Sequence, residues 1–290
     1  MDIYNDNERF ISILSDYGFK VTFGNETDTT FLKKALQALI SSNLSIREIK
    51  FFKNEISAIT VDSRSGIYDI ACVDENGNHF IVEMQLSEYP EFIQRMKFYA
   101  LHRFNTMVKK GAYKFENLPK IYCIGILAKN IFPLIKDYHN IAVLRNHKNE
   151  IIDNQMTFVT LELSKFTKQL FDIQTDLDKL IYTMKNLHTV TDTSQFPTFW
   201  DEEWLKKAIH EVDLRAMTAE QKLAYEMAIS ANALAVKNEN KKIEEIRLAD
   251  KKEAIKKALK YGKLSIEEIA DYNNISIDFV LAVQKETSNI

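Results

Sequence analysis

Residues 67–86 read Ile-Tyr-Asp-Ile-Ala-Cys-Val-Asp-Glu-Asn-Gly-Asn-His-Phe-Ile-Val-Glu-Met-Gln-Leu, two apolar runs on either side of an Asn76-Gly77 pair. An Asn-Gly pair between apolar runs is the strongest short signal for a β-hairpin. A three-residue hairpin loop takes glycine at its third position, and Glu75-Asn76-Gly77 fits that pattern. The stretch therefore predicts an antiparallel hairpin in which Asp74 faces Asn78.

The loop type decides which side chains of this hairpin meet. Counting outward from a three-residue loop, Asp69 faces Glu83, and because side chains alternate across a strand, Gln85 shares their face. The opposite face is almost wholly apolar and consists of Tyr68, Ile70, Cys72, Phe80, Val82 and Met84. A two-residue loop is the alternative. It would place Asp69 opposite Met84 and split the acids between the faces, so we favour the three-residue loop.

The predicted register brings two acidic side chains together. Directly opposed residues of an antiparallel pair have Cβ atoms about 5 Å apart, so the carboxylates of Asp69 and Glu83 repel each other unless positive charge lies between them. A hard divalent cation meets that need, since Mg²⁺ binds carboxylate oxygens at about 2.1 Å. The alternative is an ordinary hairpin that carries two surface acids.

An Asp followed by Glu-X-Gln on the next strand resembles the core of the PD-(D/E)XK nuclease superfamily. In that superfamily an Asp and an acid-X-Lys motif on a hairpin hold a metal ion. Here Gln85 stands where the Lys usually is, and Tyr68 stands where the Pro of the motif would be. Both departures resemble one branch, the bacterial recombination-promoting nuclease and putative transposase family, in which Glu-X-Gln is usual.

Three further stretches carry the same resemblance. Residues 16–24 are similar to the amino-terminal signature of the family, and residues 95–99 and 110–113 are similar to the region after its active site. The resemblance covers roughly residues 10–165, with a looser echo at the carboxyl end. It implies an α/β fold of the restriction-endonuclease-like type, with a mixed sheet flanked by helices and an all-helical carboxyl-terminal region after it.

The resemblance also implies a metal-dependent DNA endonuclease. Its catalytic residues would be Asp69, Glu83 and Gln85, and its metal ligands would be Asp69, Glu83 and the main-chain carbonyl of Met84. Mg²⁺ is the expected cation, with Mn²⁺ as the alternative. Gln85 is expected to orient the attacking water. If it does no more than that, Gln85→Lys should retain activity, which is the outcome we expect. If Gln85 is packed in a neutral network, the Lys should lower activity and stability together.

Three residues outside the hairpin are candidates for contacts to DNA phosphates. Lys20 lies in the amino-terminal signature, and an exposed docking residue is the equal alternative for it. Arg95 and Tyr99 fall on one sector of a predicted helix together with His102 and Arg103. The alternative for that sector is a solvated helix face with one amphipathic Tyr.

Composition excludes several other classes of protein. The chain has 290 residues, of which 46% are apolar and 27% charged, as expected for a soluble globular protein. A net charge of −3 neither indicates nor excludes nucleic-acid binding. Cys72 and Cys123 lie in apolar runs without the spacing of a disulfide framework or a zinc site. With no signal peptide and no apolar run of about 18 residues, we expect a cytoplasmic protein and no membrane partner.

The remaining pattern predicts two regions, a nuclease domain over residues 1–165 and a helical region over residues 166–290. In the first region we expect helices over 7–15, 28–42 and Pro90 to about Lys110, the last ended by Gly111. Strands are expected over 47–60, 121–127, 141–144 and 156–163, the first with a polar break near Asn54-Glu55. In the second region we expect helices over 174–187, 201–215 and 217–261, followed by a small helix-turn-helix-like unit.

Two rival interpretations stay open. A degenerate nuclease fold that binds DNA or a protein without cutting is one, because Gln85 lacks the charge of a Lys. A nuclease that acts on RNA or on invading DNA is the other. For the last two helices, packing or self-association is favoured over DNA reading, because residues 276–280 offer few basic or amide side chains. The expected partners are therefore DNA and, as an open alternative, a second copy of the chain.

Overall fold

The computed structural model describes residues 9–41, 45–52, 55–56, 66–67, 69–86, 91–108, 115–262, 264–273 and 275–288. The chain forms two compact units, Met1–Leu223 and Ala224–Ile290. The helices are α1 (Asp16–Phe23), α2 (Thr30–Ile40), α3 (Phe92–Met107), α4 (Asp176–Asn186), α5 (Glu203–Glu211), α6 (Ala219–Tyr261), α7 (Ile266–Tyr272) and α8 (Ile277–Ser288). The strands are β1 (Ile49–Phe51), β2 (Glu55–Ile56), β3 (Gly66–Ile67), β4 (Ile70–Asp74), β5 (His79–Gln85), β6 (Ile121–Leu127), β7 (His139–Arg145) and β8 (Ile151–Glu162).

Six of these strands form one mixed sheet in the order β1-β4-β5-β6-β8-β7, while β2 and β3 pair separately. Strand β4 is antiparallel to both of its neighbours, β1 and β5. Strands β5, β6 and β8 run parallel to one another, and β7 is antiparallel to β8. Every residue of β6 is buried, as expected for a strand covered on both faces. The predicted α/β class, a mixed sheet with flanking helices and a helical carboxyl-terminal region, is confirmed.

The hairpin between β4 and β5 has the predicted three-residue loop. Gly77 has a φ of +79°, a left-handed conformation that glycine adopts without strain. The Gly77 N–H donates to the Asp74 carbonyl at 3.1 Å, and the Asp74 N–H donates to the Asn78 carbonyl at 3.0 Å. Val73 pairs with His79, so the register counted from the loop is confirmed.

Helices cover both faces of the sheet near this hairpin. On one face α3 packs into an apolar cluster formed by Ala71, Ile81, Phe92, Met96, Tyr99, Ala100, Ile121, Cys123 and Leu127. On the other face the end of α1 approaches β4, because Gly24 lies against the side chain of Ile70. The open end of the hairpin is therefore held between α1 and α3.

The predicted helix over residues 7–15 is wrong within its described part, residues 9–15. Phe10 instead forms an antiparallel bridge with Asp213, and the Ile11 N–H donates to the Val212 carbonyl at 2.9 Å. The helix begins only at Asp16, where the Ser15 hydroxyl accepts the Gly18 N–H at 3.0 Å. A serine that caps the next segment stops the helical pattern from starting earlier.

Other boundaries also differ from the sequence prediction. The strand expected over 47–60 is divided near its predicted polar break into β1 and β2, which belong to different sheets, and residues 57–60 lie outside the described ones. The helix expected over 201–215 is α5 and is shorter at both ends. Pro90, Gly111 and the stretch 110–113 lie outside the described residues, so α3 is described only to Met107.

The helices after the sheet belong to the first compact unit. Both α4 and α5 pack against α2, and the rings of Phe31 and Trp204 stack with centroids 5.9 Å apart. The buried indole of Trp200 donates to the Thr183 hydroxyl at 2.8 Å, which ties α4 to the segment before α5. The predicted boundary at residue 165 therefore falls inside this unit. Whether residues 1–165 suffice for catalysis stays a prediction.

The second unit has a small core of its own. Ile255 of α6, Ile269 and Ala270 of α7, and Val280 and Val283 of α8 are buried together. The Ser265 hydroxyl caps α7, and Glu268 completes the capping box. The two short helices are therefore present as predicted. In the part of the chain that the structure describes, no helix combines the length and apolar character needed to cross a membrane.

Candidate active site

Asp69 and Glu83 lie at the open end of the hairpin, where the register places them opposite each other. Ile70 pairs with Val82, so Asp69, one residue earlier, faces Glu83. A carboxylate oxygen of Asp69 accepts the Met84 N–H at 2.8 Å, and the Asp69 N–H donates to Glu83 Oε1 at 3.1 Å. The two acids are thus held against each other through the backbone.

Burial and mutual repulsion shape the electrostatics of this pair. Glu83 is 3% exposed. Burial, and then the charge of Asp69, raise the pKa of Glu83 from 4.5 to about 8. Burial also raises the pKa of Asp69, and this effect outweighs those of the Met84 N–H and the Lys20 charge, which lower it. The site therefore disfavours two negative charges unless a cation compensates them.

The donor atoms at this position fit a hard divalent cation. Two carboxylates and a nearby main-chain carbonyl are oxygen donors, the type that Mg²⁺ and Mn²⁺ prefer. Across the residues given by the structure, no group of three or more His, Cys, Asp or Glu forms a metal cluster. A cation here would consequently rely on Asp69, Glu83 and a backbone oxygen. The assignment of the Met84 carbonyl as that oxygen stays a prediction.

Arg95 joins this site from α3. Its Nη2 lies 3.2 Å from Glu83 Oε2 and donates to Gln85 Oε1 at 3.1 Å. One guanidinium nitrogen thus bridges two side chains of β5, which shows that Glu83 and Gln85 share a face as predicted. Sequence reasoning placed Arg95 beside the metal as a phosphate contact. The structure brings it to the acid and the amide themselves.

A close approach between α3 and β6 sets the position of Arg95. Gly125 pairs with Glu83, and a Cβ on Gly125 would lie 2.5 Å from carbons of the Phe92 ring. Phe92 therefore seats the first turn of α3 directly on the sheet, next to the acids. Sequence reasoning missed this contact, although a glycine inside an apolar strand is a known signal for close approach.

The other two predicted phosphate contacts differ in position. Lys20 Nζ lies 2.9 Å from Asp16 Oδ1, with 55% of its side chain exposed, and its charge lowers the pKa of Asp69. It therefore lies at an accessible rim of the site. Tyr99 is 6% exposed within the apolar cluster under α3, which favours a packing role. Its contact with DNA stays a prediction, and Tyr68 lies outside the described residues.

Comparison with known proteins gives one result. The chain matches the family model of the PD-(D/E)XK nuclease family transposase over residues 13–234. No curated protein and no solved structure matches it. The match extends past residue 165, where the recognisable sequence resemblance to the family ends, and it includes α4 and α5. It ends close to residue 223, where the first compact unit ends.

Proposed function

The chain belongs to the PD-(D/E)XK nuclease family of transposases, and we propose that it is a metal-dependent endonuclease that hydrolyses phosphodiester bonds in DNA. Nucleases of this superfamily generally use divalent metals, and family membership supports a nuclease- or transposase-like role. The observation that carries the proposal is the buried Asp69–Glu83 pair, whose two carboxylates face each other with raised pKa values.

Each side chain has a distinct task in this proposal. Asp69, Glu83 and the Met84 carbonyl would hold Mg²⁺, with Mn²⁺ as the alternative cation. The chemistry supplied by such a cation would be polarisation of the phosphate and activation of a water for attack. Gln85, whose Oε1 accepts from Arg95, uses its amide nitrogen to orient the attacking water. Lys20, at the exposed rim, attracts the DNA backbone.

The biological setting follows from the family and is part of the proposal. Strand breaks of this kind serve recombination or transposition, with DNA as the partner and the cytoplasm as the location. RNA is the alternative substrate. A comparison of cleavage of duplex DNA and structured RNA by the same preparation decides between them.

The decisive experiment is cleavage of supercoiled plasmid by the purified full chain. We expect nicking with Mg²⁺ or Mn²⁺, none with EDTA, and none by Asp69→Asn or Glu83→Gln. Asp201→Asn is the matched control, because its side chain is 86% exposed and its ion pair with Lys206 is long, at 3.9 Å. Full cleavage by the two site variants would contradict the mechanism.

The rival function is a nuclease-fold protein that binds DNA without cutting, and the uncharged Gln85 is the observation that favours it. Fluorescence anisotropy with labelled duplex DNA in Ca²⁺ measures binding without requiring cleavage. Tight binding together with no cleavage in Mg²⁺ or Mn²⁺ would support the rival and contradict the nuclease.

The extent of the catalytic unit needs its own comparison of fragments. If residues 1–165 form the catalytic unit, that fragment should nick plasmid in the presence of metal. Residues 1–223 provide the matched fragment, since they keep α4 and α5 packed on α2. Cleavage by the longer fragment alone would show that these helices are needed for a folded catalytic unit.

A further inference from the structure

The active-site strand lacks a charge that the acid-X-Lys motif of the superfamily carries. Where the superfamily has a Lys, this chain has Gln85, which can donate and accept hydrogen bonds but carries no charge. The negative charges of the two nearby acids, Glu83 on the same strand and Asp69 across the hairpin, still need compensation. A cationic side chain from another element is therefore required if the motif is to work as the Lys-containing version does.

Arg95 is placed to meet that need. Its Nη2 lies within 3.2 Å of Glu83 Oε2 and 3.1 Å of Gln85 Oε1, so it contacts both the acid and the amide that replaces the Lys. Its side chain is 27% exposed, whereas that of Glu83 is 4% exposed. A charge-assisted contact to a buried carboxylate fixes that carboxylate in one orientation.

The helix that carries Arg95 cannot easily move away from the sheet. Phe92, one turn earlier, sits on Gly125, and Met96 and Ala100 are buried in the same cluster. The Arg95 guanidinium also lies 5.6 Å from the centroid of the Phe92 ring. Lys20 is another cation whose charge lowers the pKa of Asp69. It is paired with Asp16, whose negative charge raises that pKa and so offsets part of the effect of Lys20.

We propose that Arg95 is a positioning residue, which supplies from α3 the positive charge that position 85 lacks. It acts by holding the side chains of Glu83 and Gln85 rather than by binding DNA phosphate. This inference rests on the proposed nuclease function. It predicts that the charge can be moved back to the strand, so that Gln85→Lys should compensate for the loss of Arg95.

The test compares five full-length variants with the wild type. These are Arg95→Met, Arg95→Lys, Gln85→Lys, the double variant Arg95→Met/Gln85→Lys, and Lys97→Met, which removes an exposed cation from the same helix as a control. Three quantities are measured: plasmid nicking in Mg²⁺, duplex DNA affinity in Ca²⁺, and Mn²⁺ affinity by calorimetry without DNA. Circular dichroism melts check that each variant folds.

Arg95→Met should lower nicking about a hundredfold, the upper range for loss of a residue that orients metal ligands. Its Mn²⁺ affinity should rise at least about threefold, because a like charge beside the cation has been removed. Its DNA affinity should stay at the wild-type value. Arg95→Lys should retain more nicking than Arg95→Met, and it carries the test if Arg95→Met does not fold.

The double variant should recover nicking to within about tenfold of the wild type, since an acid-X-Lys strand then carries the charge. Gln85→Lys alone should lower nicking, because the new ammonium group and the Arg95 guanidinium would repel each other. This reverses the retained activity expected from the sequence, and the Arg95–Gln85 hydrogen bond is the reason. Lys97→Met should match the wild type in all three measurements.

The outcomes separate this inference from the proposed function. If the wild type nicks plasmid but Arg95→Met nicks equally well, or the double variant recovers nothing, the positioning role is overturned and the nuclease stands. A loss of DNA affinity that matches the loss of nicking would also overturn it, in favour of a phosphate contact. A wild type that cleaves no nucleic acid would overturn both.

Discussion

Two buried glutamates of the same sheet differ in how their negative charges are compensated. Glu162, at the end of β8, is fully buried. Its Oε1 accepts the backbone N–H groups of Ile131 and Phe132 at 2.7 and 3.0 Å, and Lys165 donates to its Oε2. Glu83 on β5 is equally buried, but it faces Asp69 and shares Arg95 with a second acceptor.

The difference separates a structural carboxylate from one suited to binding a ligand. Glu162 has a cation and two backbone donors, and Lys165 also donates to the carbonyls of Phe132 and Ile135, so the pair organises the loop after β6. The charge of Glu83 is disfavoured first by burial and then by Asp69, and together they raise the pKa of Glu83 to about 8. We therefore expect removal of Glu162 to reduce stability and removal of Glu83 to reduce function.

The largest expected effect is on cleavage. Glu83→Gln and Asp69→Asn should each abolish plasmid nicking, because a single carboxylate cannot both hold the cation and fix its geometry. Glu83→Gln keeps an oxygen that can accept a hydrogen bond from the Asp69 N–H, and Asp69→Asn keeps one that can accept from the Met84 N–H. Urea denaturation in EDTA should therefore show stability equal to or above that of the wild type. A strongly destabilised Glu83→Gln protein would remove the contrast with Glu162.

The next effect in size is on folding. Glu162→Ala leaves two backbone N–H groups without their acceptor and the Lys165 ammonium with only the Phe132 and Ile135 carbonyls. Loss of the buried charge partner should lower the free energy of unfolding by about 3–5 kcal/mol. Glu162→Gln keeps one acceptor oxygen and should lose less. Nicking per folded molecule should remain near the wild-type rate. A loss below about 1 kcal/mol, the range of surface ion pairs, would show that the loop does not depend on Glu162.

A smaller effect should come from the contact that seats α3. Gly125→Ala places a methyl group against the Phe92 ring, and overpacking of this kind typically lowers stability by about 1–3 kcal/mol. Because Arg95 lies one turn from Phe92, nicking should fall as well. Phe92→Leu, which removes ring atoms, should restore both properties in the double variant. Restored stability without restored nicking would mean that the Phe92 ring itself aids the site.

The smallest effect, counted per pH unit, is on the stability of the metal-free protein. The pKa of Glu83 is 4.5 in an unstructured chain and about 8 in the fold. Between these values the folded state binds more protons than the unfolded state, so the stability of the metal-free protein falls as pH rises. The slope attributable to Glu83 is at most about 1.4 kcal/mol per pH unit. Urea melts in EDTA from pH 5 to pH 8 should show it, and Glu83→Gln should reduce it.

The hairpin and the meeting of its acids were predictable from sequence because the cause is local. The Gly77 conformation sets the loop, the loop sets the register, and the register places Asp69 against Glu83 only 14 residues away. The helix expected over 7–15 was wrong for the opposite reason. Its described backbone pairs with residues 212–213, about 200 positions later, and no local pattern indicates such a contact.

The sequence by itself therefore determined the two acids, their shared face and the loop that aligns them, since turn chemistry and strand alternation act over a few residues. Only the tertiary structure decided that Arg95 reaches Glu83 and Gln85, and that Tyr99 is buried. Both depend on how α3 lies on the sheet, which is set by packing between Phe92 and the distant Gly125. Such packing is a property of the assembled core, and the spacing of residues along one helix does not reveal it.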